Sequence, residues 1–122
     1  MRALIDSDVL VDYLQGRSEA ATELARYAER CISLISWMEV MVGAGANAAE
    51  EEACRRFLES FRVLPVSRAV AERAVRLRRE HRLKLPDAII WASAQEEACL
   101  LVTRNTKDFP ADNAGIRFPY EG

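Results

Sequence analysis

Short apolar runs alternate along the whole chain with longer segments in which apolar residues recur at helical spacing. The runs are too short for helices and rich in Ile, Val and Leu, so they predict buried strands at Leu4–Ile5, Cys31–Ile35, Val63–Leu64, Cys99–Val102, and Ile116 with Phe118. Strands of this buried type that alternate with helices are typical of an α/β fold. We therefore expect a three-layer α/β/α sandwich with a mainly parallel central sheet.

Six helices are predicted between these strands from apolar spacing and capping residues. The first carries Val9, Leu10, Tyr13 and Leu14 on one face and ends at Gly16. Ser18 is expected to cap a second helix that runs to about Glu29, and Ser36 to cap the third. The remaining three are predicted to begin near Glu50–Glu52, Ser67 and Pro86, the last running to about Ala98.

The size of the chain favours one domain over residues 1–122. Its 122 residues are 50% hydrophobic and 30% charged, which is the balance of a domain with its own core. The longest stretch without charge, residues 40–49, is far shorter than the roughly 20 apolar residues that span a membrane. Three cysteines give neither a disulfide framework nor a zinc spacing. We expect buried thiols and a cytoplasmic protein with no membrane partner.

Charge is strongly segregated along the chain, although the net charge is only -2. Residues 1–54 hold 4 basic and 10 acidic side chains, residues 55–84 hold 10 and 3, and residues 85–122 hold 3 and 6. The net charge alone argues against a nucleic-acid partner, because phosphate binding usually appears as a basic surplus. The basic middle segment is a candidate contact for an RNA backbone or for an acidic protein partner.

Four acidic residues fall where the chemistry of a parallel sheet is usually found, at or beyond the carboxyl ends of strands. They are Asp6, Glu39, Asp87 and Asp108. Because these strand ends meet at one edge, we expect the four carboxylates to lie close together. Such a cluster cannot stay fully ionised without cations, and hard divalent ions such as Mg²⁺ or Mn²⁺ suit it best. Metal-assisted phosphodiester hydrolysis is the reaction that this chemistry favours.

Each acid also has a purely structural interpretation. Ser36 and Glu39 fit a capping box at the start of a helix. Asp87 would complement a helix dipole, and Asp108 would be an ordinary turn residue. Asp8 is expected to cap or open the first helix, and Asp12 to lie on its solvent face.

Four segments together resemble the successive motifs of PIN domains, and most closely those of the VapC toxins of bacterial toxin-antitoxin modules. The segments are Leu4–Leu14, Ile35–Val40, Leu83–Ala92 and Leu101–Phe109. They occur in the family's order and cover nearly the whole chain. One departure is Asp8, because the family usually has Asn two residues after its first Asp.

The resemblance implies an endoribonuclease that depends on Mg²⁺ or Mn²⁺ and leaves a 5'-phosphate and a 3'-hydroxyl. It implies a homodimer and a cognate VapB-type antitoxin that inserts a segment near the active site. The residues that it assigns to catalysis and metal binding are Asp6, Glu39, Asp87 and Asp108. Thr103 and Asn105 are implied polar support, with Ser7 and Asp8 beside them, and Arg104 and Lys107 are expected to contact the RNA backbone.

Two alternatives to this function stay open at the level of sequence. The Asp6-Ser7-Asp8 triplet also looks like the nucleophile and acid of haloacid-dehalogenase phosphatases, in which the first Asp is phosphorylated. That family normally needs a longer chain and a downstream lysine. The second alternative is a catalytically inactive module that binds RNA or an antitoxin, against which the intact set of four acids argues.

Overall fold

The first strand lies in the middle of a five-stranded sheet. The computed structural model describes residues 1–45 and 47–122, and in it every neighbouring pair of strands is parallel. The order across the sheet is β3-β2-β1-β4-β5, with bounds β1 Arg2–Ile5, β2 Glu29–Ser33, β3 Arg62–Leu64, β4 Leu100–Val102 and β5 Ile116–Arg117. Ala3, Leu4 and Ile5 are fully buried, as a central strand requires.

Six helices in the described part of the chain connect these strands. Their bounds are α1 Ser7–Leu14, α2 Ser18–Ala25, α3 Leu34–Gly43, α4 Ala48–Leu58, α5 Arg68–His81 and α6 Leu85–Glu96. Four of them begin at side-chain caps, which are Asp6 for α1, Ser33 for α3, Asn47 for α4 and Ser67 for α5. Asn47 accepts hydrogen bonds from the N–H groups of Ala49 and Glu50, and Ser67 accepts one from Val70. The Ser67 cap confirms the predicted start of α5.

The outer layers are the helices, and an apolar cluster on each face of the sheet joins them to it. One cluster joins the sheet to α5 and α6 through Val70, Ala74, Leu77 and Trp91. The other joins the opposite face to the remaining helices through residues such as Val9, Leu10, Leu24 and Leu58. The predicted three-layer α/β/α sandwich with a parallel sheet is therefore confirmed.

Several predicted boundaries are wrong by a few residues, and the largest differences lie next to the second strand. The fourth helix begins at Ala48 rather than near Glu50, and the sixth ends at Glu96 rather than near Ala98. The second helix ends at Ala25 rather than near Glu29, because Glu29 already belongs to β2 and pairs with Arg2 of β1. The second strand ends at Ser33 rather than Ile35. Ser18 is the first residue of α2 and not its cap, since Arg17 holds that position without a side-chain hydrogen bond.

The capping box predicted at Ser36 and Glu39 does not form. Ser33 caps α3 instead, accepting a hydrogen bond from the N–H of Ile35 at 3.2 Å. Ser36 lies inside the helix, fully buried, and its hydroxyl has no hydrogen-bond partner among the described residues. Glu39 is therefore free of this capping role.

The three cysteines are free thiols, and Cys31 and Cys99 are buried as expected, whereas Cys54 is half-buried. The stretch predicted as a flexible loop, residues 43–49, includes position 46, which lies outside the described residues. No helix within residues 1–45 and 47–122 has both the length and the apolar character needed to cross a bilayer.

Candidate active site

Asp6 ends the central strand and begins the first helix, so its position is fixed from both sides. Its backbone N–H donates to the carbonyl of Val102 at 2.9 Å, which extends the pairing of β1 with β4. As the N-cap of α1, its Oδ1 accepts a hydrogen bond from the N–H of Ser7 at 2.7 Å. Only 4% of the residue is exposed. Burial, together with the neighbouring charge of Asp8, raises the pKa of Asp6 to about 7.

Asp8 lies in the first turn of α1, on the other side of Ser7. Its Oδ2 accepts a hydrogen bond from the backbone N–H of Arg104 at 3.1 Å, whereas its Oδ1 is buried and has no partner among the described residues. Burial raises the pKa of Asp8, as it does for Asp6. The prediction that Asp8 would open the helix holds, and the cap itself is Asp6.

Thr103 links β4 to both acids of the first helix. It is completely buried, and its hydroxyl lies 2.7 Å from Oδ2 of Asp6 and 3.4 Å from Oδ2 of Asp8. The hydroxyl also accepts a hydrogen bond from the N–H of Asn105 at 3.0 Å. Because a hydroxyl has a single proton, Thr103 donates to one carboxylate at a time, and the shorter distance favours Asp6.

Asn105 holds Asp108 by two hydrogen bonds. Its Nδ2 donates to Oδ2 of Asp108 at 3.1 Å, and its Oδ1 accepts from the backbone N–H of Asp108 at the same distance. This closed pair orders the turn after β4. Asp108 is therefore fixed by its neighbours in the loop, as an isolated turn residue would not be.

Asp87 and Glu39 complete the acidic group from two other helices. Asp87 is half-buried in the first turn of α6, and Glu39 is exposed on α3. Burial, the charge of Asp108 and, more weakly, the charges of Glu39 and Asp8 raise the pKa of Asp87, while Lys84 opposes them. The charges of these acids therefore act on Asp87, although the residues are distant in sequence.

Asp12 corrects the sequence prediction, because it is buried and not on the solvent face of α1. Its carboxylate accepts hydrogen bonds from Nε and Nη2 of Arg104, at 2.6 and 3.2 Å, and from the hydroxyl of Tyr120 at 2.9 Å. Arg17 lies 3.6 Å away. Asp12 lies one helical turn after Asp8, so this spacing of four residues was the available signal that it faces inward.

The remaining predicted site residues, Arg104, Lys107 and Ser7, differ in their side-chain partners. The guanidinium of Arg104 is committed to Asp12, while its backbone N–H holds Asp8. Lys107 is exposed, and no carboxylate within the described residues lies within 4.0 Å of its ammonium group. Ser7 is half-buried, and its hydroxyl lies 3.5 Å from Oδ1 of Asp6, too far for a strong hydrogen bond.

The donor set fits a hard divalent cation in its chemistry. Within residues 1–45 and 47–122, no three Asp, Glu, His or Cys side chains are grouped closely enough to hold a metal ion as they stand. The candidate donors are nonetheless carboxylate oxygens, which Mg²⁺ and Mn²⁺ prefer. The raised pKa values of Asp6, Asp8 and Asp87 indicate a concentration of negative charge that Arg104 and Lys84 offset only in part. Among the described residues, Oδ1 of Asp8 has no hydrogen-bond partner.

Comparison with known proteins agrees with this architecture. Residues 3–111 match the PIN domain family. The chain is 36% identical over 115 residues to ribonuclease VapC10 of Mycobacterium tuberculosis, an alignment that covers 88% of this chain and 85% of that protein.

Two solved structures extend the likeness to three dimensions. A toxin-antitoxin complex from Klebsiella pneumoniae contains a chain that is 48% identical, with a TM-score of 0.92 and coverage of 98% of both chains. FitAcB from Neisseria gonorrhoeae has the same fold at 21% identity, with a TM-score of 0.77 over 96% of this chain and 97% of that one.

The match covers most of the chain and includes the strand ends and helices that carry the acidic residues. It decides against the haloacid-dehalogenase alternative and confirms the resemblance noted in the sequence. The chain belongs to the PIN-domain family.

Proposed function

We propose that this chain is a metal-dependent endoribonuclease and the toxin of a toxin-antitoxin pair. The observation that carries the proposal is the group of carboxylates at the carboxyl edge of the parallel sheet, in which Asp6 is buried, Asp8 is half-buried, and neither forms an ion pair within 4.0 Å among the described residues. The likeness to ribonuclease VapC10 supports RNA as the substrate. The acidic set, intact and ordered, is the reason to prefer an enzyme over an inactive binding module.

The residues that would hold Mg²⁺ or Mn²⁺ are Asp6, Glu39, Asp87 and Asp108, with Asp8 beside them. When bound, a divalent ion supplies positive charge for the scissile phosphate and lowers the pKa of an attacking water. Hydrolysis breaks the bond between phosphorus and the 3'-oxygen, so the products are a 5'-phosphate and a 3'-hydroxyl.

The chain's own contribution is to hold these oxygens in place before substrate arrives. Thr103 fixes the carboxylate of Asp6 through its hydroxyl, and the N–H of Arg104 fixes that of Asp8. Asn105 does the same for Asp108. Carboxylates fixed by such neighbours lose little orientational freedom when they bind an ion, which favours binding.

Of the two loop cations Arg104 and Lys107, Lys107 is the one that would contact the substrate. Its ammonium group is exposed and near Asp108, so it is available to a phosphate of the RNA backbone. Arg104 supports the site in a different way, because its guanidinium is bound to Asp12. We assign Arg104 a positioning role through Asp8.

The toxin role implies further partners in the cytoplasm, where RNA is found. The Klebsiella pneumoniae relative was solved as a toxin-antitoxin complex, which supports a VapB-type antitoxin for this chain. A homodimer is supported by an apolar stripe on α3, where Leu34, Met38 and Val42 are exposed at a spacing of four residues. Burial of this stripe against a second copy would give a particle of twice the 13.7 kDa chain mass.

The test is cleavage of a 5'-labelled oligoribonucleotide pool by the purified chain. We expect cleavage with added Mg²⁺ or Mn²⁺, none with a chelator, and a loss of at least about 100-fold in rate for Asp87→Asn. The control is Asp112→Asn, which removes the same charge from an exposed loop residue and should cleave normally.

Equal activity of Asp87→Asn and the wild-type chain would show that the site is misassigned. Normal growth of cells that express an active chain without its antitoxin would contradict the toxin role.

A further inference from the structure

The second half of α5 and the turn after it carry five cations without acidic partners. We call these residues the basic end of α5: Arg76, Arg78, Arg79, Arg82 and Lys84. Within the described residues, none of the five has a carboxylate oxygen within 4.0 Å. By contrast, nine arginines in other parts of the chain are paired at that distance.

The basic end of α5 lies beside the candidate active site. The helix ends at His81, Arg82 forms the turn in the left-handed region with φ 55°, and α6 begins at Leu85, two residues before Asp87. Helices α5 and α6 share one apolar cluster, and the ring centroids of His81 and Trp91 are 4.8 Å apart. The C-terminus of α5 and the N-terminus of α6 are therefore held together at the edge of the sheet where the acids lie.

The helix dipole accounts for only part of this charge. Cations in the last turn of a helix are favoured by about 0.3–1 kcal/mol each, which explains one or two of them. Five cations within nine residues repel one another, and the acid inside the segment, Glu80, is 3.9 Å from His81. A chain with a net charge of -2 retains a concentrated positive surface here at some cost in stability.

The surroundings of this surface fit a nucleic acid better than a protein. The depression next to it is lined mainly by polar side chains, including Arg76, Glu80, His81, Gln95 and Asn113. Protein interfaces usually have an apolar centre, which is missing here. An acidic peptide that continued towards Asp87 would also meet repulsion from the carboxylates.

We propose that the basic end of α5 binds the phosphate backbone of the RNA strand next to the bond that is cut. This inference rests on the proposed ribonuclease function and adds a binding surface outside the acidic group. The RNA strand is negatively charged, and it must approach the acidic group of the candidate active site, which repels it. Unpaired cations at the margin of that centre offset the repulsion and hold the flanking phosphates.

The experiment compares the full chain with a triple variant, Arg78→Gln/Arg79→Gln/Arg82→Asn. Asn is chosen at position 82 because it tolerates the left-handed backbone there. Steady-state cleavage of a labelled oligoribonucleotide is measured at several salt concentrations. We expect KM to rise about tenfold near physiological salt while kcat stays within about twofold, because the groups lost act in binding.

The salt dependence gives a second readout that a loss of folding would not produce. Each single-strand phosphate contact contributes about 0.7 to the slope of log affinity against log salt, so the loss of three should lower its magnitude by about 2. Binding is measured by fluorescence anisotropy in the Asp87→Asn background. If the triple variant does not fold, Arg79→Gln alone is tested, with an expected change of about 0.7.

The matched control removes three paired arginines, Arg55→Gln/Arg56→Gln/Arg68→Gln. These residues face Glu51, Glu52 and Glu72 within 3.1, 3.4 and 3.6 Å, so the change in net charge is the same. We expect KM and the salt slope of the control to stay near wild-type values.

Equal weakening by both triples would overturn the proposal, since net charge alone would then account for the effect. The proposal would also be overturned if the basic-end variant kept the wild-type KM and the wild-type slope of log affinity against log salt. This includes the outcome in which the variant still binds RNA normally and loses only the binding of an acidic protein. If the wild-type chain cleaves no RNA, the proposed function itself fails, which is a separate result.

Discussion

Asp8 is the residue at which this chain departs from the usual PIN-domain pattern, and its environment explains the consequence. One oxygen accepts a hydrogen bond from Arg104, whereas the other is buried and has no partner in the part of the chain that the structure describes. The charge of Asp8 raises the pKa of Asp6. An Asn at this position would keep the hydrogen bond from Arg104 through its amide oxygen and would remove the charge. The extra negative charge therefore destabilises the chain without an ion and should strengthen ion binding.

The substitution Asp8→Asn tests this interpretation. We expect the melting temperature at pH 8 without divalent ions to rise by a few degrees, because repulsion between the buried carboxylate of Asp6 and the half-buried one of Asp8 is removed. Cleavage should persist, with a higher Mg²⁺ concentration needed for half-maximal rate. Differential scanning fluorimetry and a metal titration of the cleavage rate measure the two effects, and Asp112→Asn serves as the control. A variant that is inactive even at saturating Mn²⁺ would show instead that Asp8 is indispensable.

At the scale of secondary-structure elements, the start of α3 shows where sequence reasoning fails. Ser33 and Ser36 both precede apolar residues at helical spacing, and either serine can cap a helix. The choice is made by the pairing of β2 with its neighbours, which extends the strand as far as Ser33 opposite Leu64. A capping pattern read locally contains no information about strand register, so the boundary was misplaced by three residues.

The two serines make opposite predictions for stability. Ser33→Ala removes the cap and should lower the free energy of unfolding by about 1 kcal/mol. Ser36→Ala removes a buried hydroxyl that has no partner, so stability should stay unchanged or rise by up to about 1 kcal/mol. Urea denaturation of the two variants measures the difference directly. If Ser36→Ala lowered the free energy of unfolding as much as Ser33→Ala, Ser36 would act as a helix cap after all, in contradiction to the structure.

Some features of the elements around the site depend on nearby residues in the sequence, and others depend on residues far away in it. The short apolar strands, the Ser67 cap and the position of Asp6 after β1 follow from patterns within a few residues, and the sequence predicted them correctly. The burial of Asp12 depends on contacts with Arg104 and Tyr120, which are 92 and 108 residues away. The positions of the apolar residues in α1 placed Asp12 on the solvent face, because they take no account of such partners.

At the scale of the whole molecule, the net charge of -2 is the sum over a chain that carries one acidic and one basic surface. The carboxyl edge of the sheet concentrates acids that raise one another's pKa, and the basic end of α5 concentrates cations without partners. Sequence segregation indicated both, since the basic segment spans residues 55–84 and the four acids lie on either side of it. The short turn between α5 and α6 and the packing of these helices hold the two surfaces side by side.

This charge arrangement determines how stability should depend on pH. Asp6 has a folded-state pKa of about 7, raised from an ordinary value of 3.8, so the folded chain keeps a proton that the unfolded chain releases. Stability therefore falls as pH rises from about 4 to about 7, and Asp8 and Asp87 act in the same direction. Glu19, Glu23 and Glu29 have lowered pKa values, and their contribution is lost only as pH falls below about 4.5.

We expect the chain without divalent ions to melt at a higher temperature at pH 5 than at pH 8. Mg²⁺ or Mn²⁺ should raise the melting temperature at pH 8 and have a smaller effect at pH 5, because a proton occupies Asp6 there and competes with the ion. Thermal melting at matched ionic strength, with Na⁺ replacing the divalent ion, isolates the effect. Since Asp6→Asn removes the carboxyl group whose pKa is raised to about 7, it should flatten the pH dependence and reduce the stabilisation by divalent ions. A melting temperature that rises steadily from pH 5 to pH 8 without divalent ions would contradict the charge balance assigned to this site.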